Sequence, residues 1–135
     1  MSGKIFLDAS FWIAYRDARQ ELHPRAAEIL PRIFRERPHL FTTLPVICEI
    51  HAYFSRSDRL KKMVLDDLCD NPVVEIAEVT PRDQNAAVSL LKTHHDKSYS
   101  LCDMISFVLM RRIEIHRALT FDHHFRQFGE FEIIS

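Results

Sequence analysis

The chain has 135 residues, 47% of them apolar and 27% charged, with a net charge of −1. That mixture suits a single globular domain over residues 1–135 and excludes disordered, fibrous and collagen-like classes. The near-neutral balance excludes a uniformly basic nucleic-acid-binding surface, so any such contact has to be local. The three cysteines, Cys48, Cys69 and Cys102, form an odd set without paired-ligand spacing, which predicts reduced thiols in a cytoplasmic protein. The opening MSGKIFLDASFW has no long apolar segment, and no stretch reaches the ~20 apolar residues of a membrane span.

Lys4 to Leu7 is a short apolar run ending on Asp8 and predicts a buried strand. Ser10 is placed to cap a helix over Phe11 to Tyr15. Pro24 suits the first turn of a helix towards Arg37, which Pro31 should kink or divide. Leu40 to Thr43 predicts a second strand, and Pro45 opens a helix through Phe54. Ser57 starts a charged amphipathic helix whose apolar side carries Leu60, Met63, Val64, Leu65 and Leu68. Val73 to Val79 has strand character. Thr80 and Asp83 then bracket Pro81 in a capping-box pattern, opening a helix to about Thr93. Ser100 and Asp103 repeat that spacing before Leu101 to Ile113, a helix apolar almost all round and therefore deeply buried. Ala118 to Thr120 and Phe131 to Ile134 are short late strands. Strands alternating with helices predict an α/β domain with a mainly parallel sheet, whose ligands bind at the carboxyl ends of the strands.

Four carboxylates stand out in that frame. Asp8 ends the first strand and Asp122 follows a late one, so both belong at the sheet's carboxyl edge. Glu49 shares a helix face with Val46 and Tyr53 and interrupts an apolar stripe. Asp103 sits in the first turn of the most apolar helix. Each also has an ordinary reading, as a turn residue, a helix cap or a partly exposed glutamate. As a set they carry chemistry. If they converge within about 4 to 6 Å, each adjacent pair repels by roughly 3 to 4 kcal/mol at an effective dielectric near 20. Such a cluster needs protons, basic neighbours or metal. Oxygen donors without Cys or His pairs favour Mg²⁺ or Mn²⁺, which can activate water and neutralise charge developing at a phosphodiester.

The segments IFLDAS, TTLPVICEIHAYF, SLCDMISFVLM and ALTFDHHF occur in the order and approximate spacing of the PIN domain, and resemble most closely the VapC-type toxins of toxin–antitoxin pairs. The resemblance spans nearly the whole chain. It implies a Rossmann-like α/β/α sandwich with a four- to five-stranded sheet and a Mg²⁺- or Mn²⁺-dependent endoribonuclease leaving a 5′-phosphate. It carries the acidic positions onto Asp8, Glu49, Asp103 and Asp122, with Asp8 and Asp103 the firmest metal ligands. Ser10 and Thr120 match supporting hydroxyl positions. Expected partners are RNA, a small antitoxin protein and a second copy of the chain, with no membrane. A PIN nuclease of RNA maturation or turnover, and a non-catalytic scaffold, are the alternatives. A phosphoryl-aspartate enzyme ranks below them, because Ser10 stands where a second acid is expected.

Two positions depart from the pattern. Cys102 stands where many members have Thr, which could make the site sensitive to oxidation. His124 stands where some carry a further Asp, leaving one metal or two open. His124 could contact RNA phosphate or a metal, but His123 and His124 read first as adjacent surface histidines, and His94 and His95 show no ligand pattern. Arg56, Arg59, Lys61, Lys62, Arg111, Arg112, Arg117 and Arg126 offer positive charge for phosphate. The mixture of Phe11, Trp12, Ile29, Ile33, Phe34, Tyr53 and Phe54 predicts some apolar surface left over as a protein-binding groove.

Overall fold

The computed structural model describes residues 3–135. Its strands are β1 (Lys4–Leu7), β2 (His39–Thr42), β3 (Val74–Ile76), β4 (Arg117–Leu119) and β5 (Glu132–Ile134). They form one sheet in the order β3-β2-β1-β4-β5, every pair parallel. The helices are α1 (Ala9–Arg16), α2 (His23–Arg35), α3 (Leu44–Tyr53), α4 (Asp58–Cys69), α5 (Pro81–Thr93), α6 (Leu101–Arg112) and α7 (His123–Phe128).

Connection handedness sorts these helices. From β1 to β3 the chain steps outward in one direction, so right-handed crossovers put α1 to α4 on one face. From β3 it crosses back past β1 to β4 and β5, which puts α5 to α7 on the other face. The packing agrees: α1 lies against α2 and α3, and α5 lies along α6. The result is the expected α/β/α sandwich. Being central and covered on both faces, β1 carries three fully buried apolar residues in succession, Ile5, Phe6 and Leu7. Phe107 of α6 anchors an aromatic cluster with Phe125, Phe128, Phe131 and Tyr99.

Several elements differ from the sequence expectation for local reasons. Asp8, not Ser10, caps α1, and its side chain accepts the Ser10 N–H. Pro31 does not divide α2, which continues through it. The carbonyl it leaves without a donor belongs to Ala27, which is exposed and can be hydrated. Thr43 lies beyond β2 and caps α3 instead. β3 keeps only three of the expected residues, since it is an edge strand pairing β2 alone. Leu65 is 40% exposed, leaving Val64 and Leu68 as the buried residues of α4. Among the residues of the expected groove, Phe11, Trp12, Ile29, Ile33 and Phe54 are core. The exposed apolar face lies elsewhere, at Leu44, Ile76, Val88 and Leu101 around a cleft of about 560 Å³.

Both capping boxes form as read. In the first, Asp83 accepts the Thr80 N–H and also two guanidinium nitrogens of Arg112, which ties α5 to the end of α6. Asp83 is only 2% exposed; burial opposes its charge, but Arg112 and Thr80 together hold its carboxyl below the ordinary range. No helix among the described residues is long and apolar enough to cross a membrane. Arg112→Ala strands that carboxylate and is expected to cost about 2 kcal/mol, less than the ~3–5 kcal/mol of a fully buried pair because Arg112 is partly solvated. Since a depressed carboxylate stabilises the fold above its unfolded pKa, the difference between parent and variant should shrink as pH falls below about 4. Urea unfolding of both proteins at pH 7 and pH 3.5 checks this.

Candidate metal centre

The strand order reverses between β1 and β4, so the sheet opens a crevice where those two strands end. Asp8 follows β1 directly and Thr120 follows β4, with Leu7 and Leu119 in register beside them. The Asp8 N–H donates to the Leu119 carbonyl at 3.1 Å, joining the two strand ends. On the Asp8 side chain, Oδ2 accepts the Ser10 hydroxyl at 2.6 Å, the Thr120 hydroxyl at 2.8 Å and the Ser10 N–H at 3.3 Å. Each hydroxyl has one hydrogen, given to Asp8. The 3.0 Å contact between Ser10 Oγ and Thr120 Oγ1 is therefore packing, and each oxygen uses its lone pairs elsewhere. Ser10 Oγ accepts the Phe121 N–H at 3.0 Å, and Thr120 Oγ1 accepts the Asp122 N–H at 2.9 Å. Two hydroxyls thus link the first acid to the chain carrying the last. Oδ1 of Asp8 accepts no hydrogen bond among the described residues.

Asp103 and Asp122 repeat the division of labour. Asp103 is the third residue of α6, and its Oδ2 accepts the Ser100 N–H at 3.0 Å. Asp122 caps α7, and its Oδ1 accepts the His124 N–H at 2.9 Å. In each case one oxygen orders a helix start and the other is left free. Glu49 has no such duty. It rises from α3 and is exposed as a residue, yet its carboxyl reaches inward far enough for burial to be the main influence on it. Asp8, Ser10, Glu49, Tyr53 and Asp122 line one cleft of about 390 Å³.

The electrostatics show that all four acids share a neighbourhood. Burial pushes Asp8 up to about 6; the Ser10 and Thr120 hydroxyls oppose that, and the charges of Asp122 and Asp103 add to it. Burial also raises Glu49, reinforced by Asp103 and Asp122 and opposed by the Cys102 thiol. Asp103 is raised by burial and by Asp122, against the Ser100 N–H and His124. Cys102 is itself pushed far up by burial and by the Glu49 charge, which disfavours the thiolate that oxidation would need and agrees with a small, partly buried residue filling that position. Hard oxygen donors that repel one another, with a free oxygen on each aspartate, fit a divalent cation.

The two adjacent histidines differ. His123 is a surface residue as expected, its side chain 75% exposed. His124 is only 14% exposed. Its Nδ1 lies 2.9 Å from Asp103 Oδ2 and 3.3 Å from Asp122 Oδ1, and its Nε2 is 2.9 Å from Ser98 Oγ. The Tyr99 ring packs edge-on against it. The one sequence signal was its spacing: the residue whose N–H the Asp122 cap receives has to lie beside that carboxylate.

The profile of the PIN domain matches residues 5–130. The 23S rRNA-specific endonuclease VapC20 of Mycobacterium tuberculosis is 29% identical over 131 residues, covering 96% of this chain and 97% of the relative. The crystal structure of that protein, described as a sarcin–ricin loop cleaving toxin, superposes with a TM-score of 0.84 at 28% identity, covering 97% of this chain and 99% of the other. VapBC2 from Rickettsia felis, bound to a promoter DNA fragment, shares the fold with a TM-score of 0.62 at 12% identity, covering 97% of both chains. So does FitAcB from Neisseria gonorrhoeae, with a TM-score of 0.62 at 16% identity, covering 97% and 96%.

A carboxyl raised on folding keeps a proton that the unfolded chain has released. Its contribution therefore falls as pH rises from about 4 to about 6 and stays low above that. In EDTA, Asp8→Asn, which cannot ionise, should be more stable than the parent at pH 8 by up to about 3 kcal/mol, at ~1.4 kcal/mol per pKa unit. The advantage should vanish at pH 4. Urea midpoints across that range test it, and a parent that gains on the variant with rising pH refutes it.

Proposed function

We propose that this chain, which belongs to the PIN domain family, is a divalent-ion-dependent endoribonuclease and the toxin of a toxin–antitoxin pair. The observation carrying this reading is that Asp8, Glu49 and Asp122 line one cleft and that the charges of Asp103 and Asp122 act on both Asp8 and Glu49, with a free oxygen on each aspartate. Asp8 and Asp103 would hold Mg²⁺ or Mn²⁺, with Glu49 and Asp122 completing the set. When bound, the ion supplies water activation and neutralisation of phosphodiester charge. Ser10 and Thr120 keep Asp8 oriented through its Oδ2 and so present its Oδ1 to the crevice. The products are a 5′-phosphate and a 3′-hydroxyl.

RNA has to reach an acidic cleft. Tyr53 borders both that cleft and a neighbouring one of about 600 Å³, where Arg16 and Arg19 are paired with Asp67 and Asp17 while Arg56 and Arg59 have no acid partner among the described residues. On the other side Leu22, Phe121 and Asp122 are shared with a cleft of about 500 Å³ that includes Arg25 and Arg126. A strand crossing the acids meets arginine at both ends, where phosphates can be held without reading bases. Of the basic residues expected to meet RNA, Lys61, Lys62, Arg111, Arg112 and Arg117 are paired with acids, whereas Arg56, Arg59 and Arg126 line this track. The exposed apolar face at Leu44, Ile76, Val88 and Leu101 suits a protein partner, which we assign to the antitoxin or a second copy of the chain.

VapC20 is named for 23S rRNA, so its sarcin–ricin loop is the first RNA to try, beside a pool of cellular RNAs. Purified, partner-free protein should cleave in Mg²⁺ or Mn²⁺ and stop in EDTA. Asp103→Asn should lose on the order of 100-fold or more, as several kcal/mol of charge stabilisation requires. A folded protein that neither cleaves nor binds Mn²⁺ ends this reading. Arg59→Gln and Arg126→Gln should raise KM with little change in kcat, and each should lower the slope of binding against log salt by about one. Unchanged slopes move the RNA off the track.

A further inference from the structure

The acids account for the crevice's oxygen donors but leave a nitrogen unexplained. His124 Nδ1 is buried beside two carboxylates, 2.9 Å from Asp103 Oδ2 and 3.3 Å from Asp122 Oδ1, yet makes a hydrogen bond with neither. A protonated Nδ1 would gain by aligning its N–H on one of those oxygens. A bare Nδ1 lone pair so close to two carboxylates is repelled by both. A cation held between the three atoms would satisfy the lone pair and both carboxylates at once.

The surroundings set the ring for that role. Nε2 sits 2.9 Å from Ser98 Oγ, which can accept its proton and leave the Nδ1 lone pair turned towards the acids. Tyr99 holds the ring edge-on. The backbone of His124 is itself pinned by its N–H to Asp122 Oδ1, so the cap that orients the last acid also delivers the imidazole. Within the described residues, donor atoms of Asp122, His123 and His124 lie within 4.8 Å of one another. His123 is the weaker participant, being largely solvent-exposed with its Nδ1 3.7 Å from Asp122.

We propose that His124 Nδ1 is a ligand of the divalent ion between Asp103 and Asp122. The centre is then a mixed oxygen–nitrogen site that prefers Mn²⁺ to Mg²⁺. Imidazole is a softer donor than carboxylate, and Mg²⁺ tolerates it poorly, whereas a first-row transition ion binds it well. The inference rests on the acidic crevice being a divalent-ion centre, and its test separates the two.

Mn²⁺ is added to the metal-free protein and followed by titration and by pulsed electron paramagnetic resonance, which detects nitrogen bonded to manganese. The parent should show one directly bound nitrogen. His123→Phe should keep it. His124→Phe, which retains an aromatic ring against Tyr99, should lose it and lower the preference for Mn²⁺ over Mg²⁺ by at least about tenfold, the lower end of what losing a supporting group costs a metal site. His124→Asp should bind Mn²⁺ without the nitrogen signal and regain Mg²⁺ affinity. Circular dichroism establishes that each variant is folded. Manganese bound without a nitrogen signal in the parent, or a signal surviving in His124→Phe, overturns the role of His124 and leaves the acidic centre standing. No manganese binding by the folded parent overturns both.

Discussion

Strands β1 to β4 each hand the chain to a helix beyond the carboxyl edge of this sheet, and every helix start has backbone N–H groups that need acceptors. The molecule meets that need with aspartates. Asp8, Asp103 and Asp122 each give one oxygen to a helix start and keep the second free of hydrogen bonds among the described residues. In the function proposed here the same residues serve as caps and as metal ligands. Reading each aspartate as either a cap or a ligand poses a choice that the geometry does not require.

The arrangement strains the fold electrostatically. Asp8 is almost fully buried among like charges and is held above the ordinary carboxylate range despite donors from Ser10 and Thr120. A core built for stability alone would not group acids this way, and the rest of the domain offsets the cost. The continuous apolar run of β1 and the aromatic cluster around Phe107 lead directly up to the acids, through Leu7 to Asp8 and through Tyr99 to His124, while the Arg112 clamp on Asp83 ties α5 to the end of α6. The acids are thus held in place by apolar packing behind them.

Much of this was readable from the chain. Period and caps located the strands and helices, and both capping boxes, Thr80 with Asp83 and Ser100 with Asp103, formed as spaced. The misses have physical causes. Ser10 has good cap chemistry, but Asp8 stands two residues earlier and accepts the N–H of Ser10 itself. Pro31 fits inside a helix because the carbonyl it orphans faces water. The aromatics of α1 and α3 looked surplus because local sequence cannot show how much volume the facing helices leave to fill. His124 looked like surface because its burial comes from Ser98 and Tyr99, more than twenty residues away. Local signals are read well; long-range closure is not.

The double duty of the aspartates also constrains how such a chain can decay. A descendant freed from the need to cleave would lose nothing in folding by discarding Glu49, which caps nothing and stands at the rim. Positions 8, 103 and 122 would drift more narrowly, towards Asn, Ser or Thr, because those residues still accept a backbone N–H while giving up the charge. A silenced relative should therefore carry a recognisable scar: polar stumps at three helix starts, an unrestricted fourth position, and a fold more stable than its active ancestor.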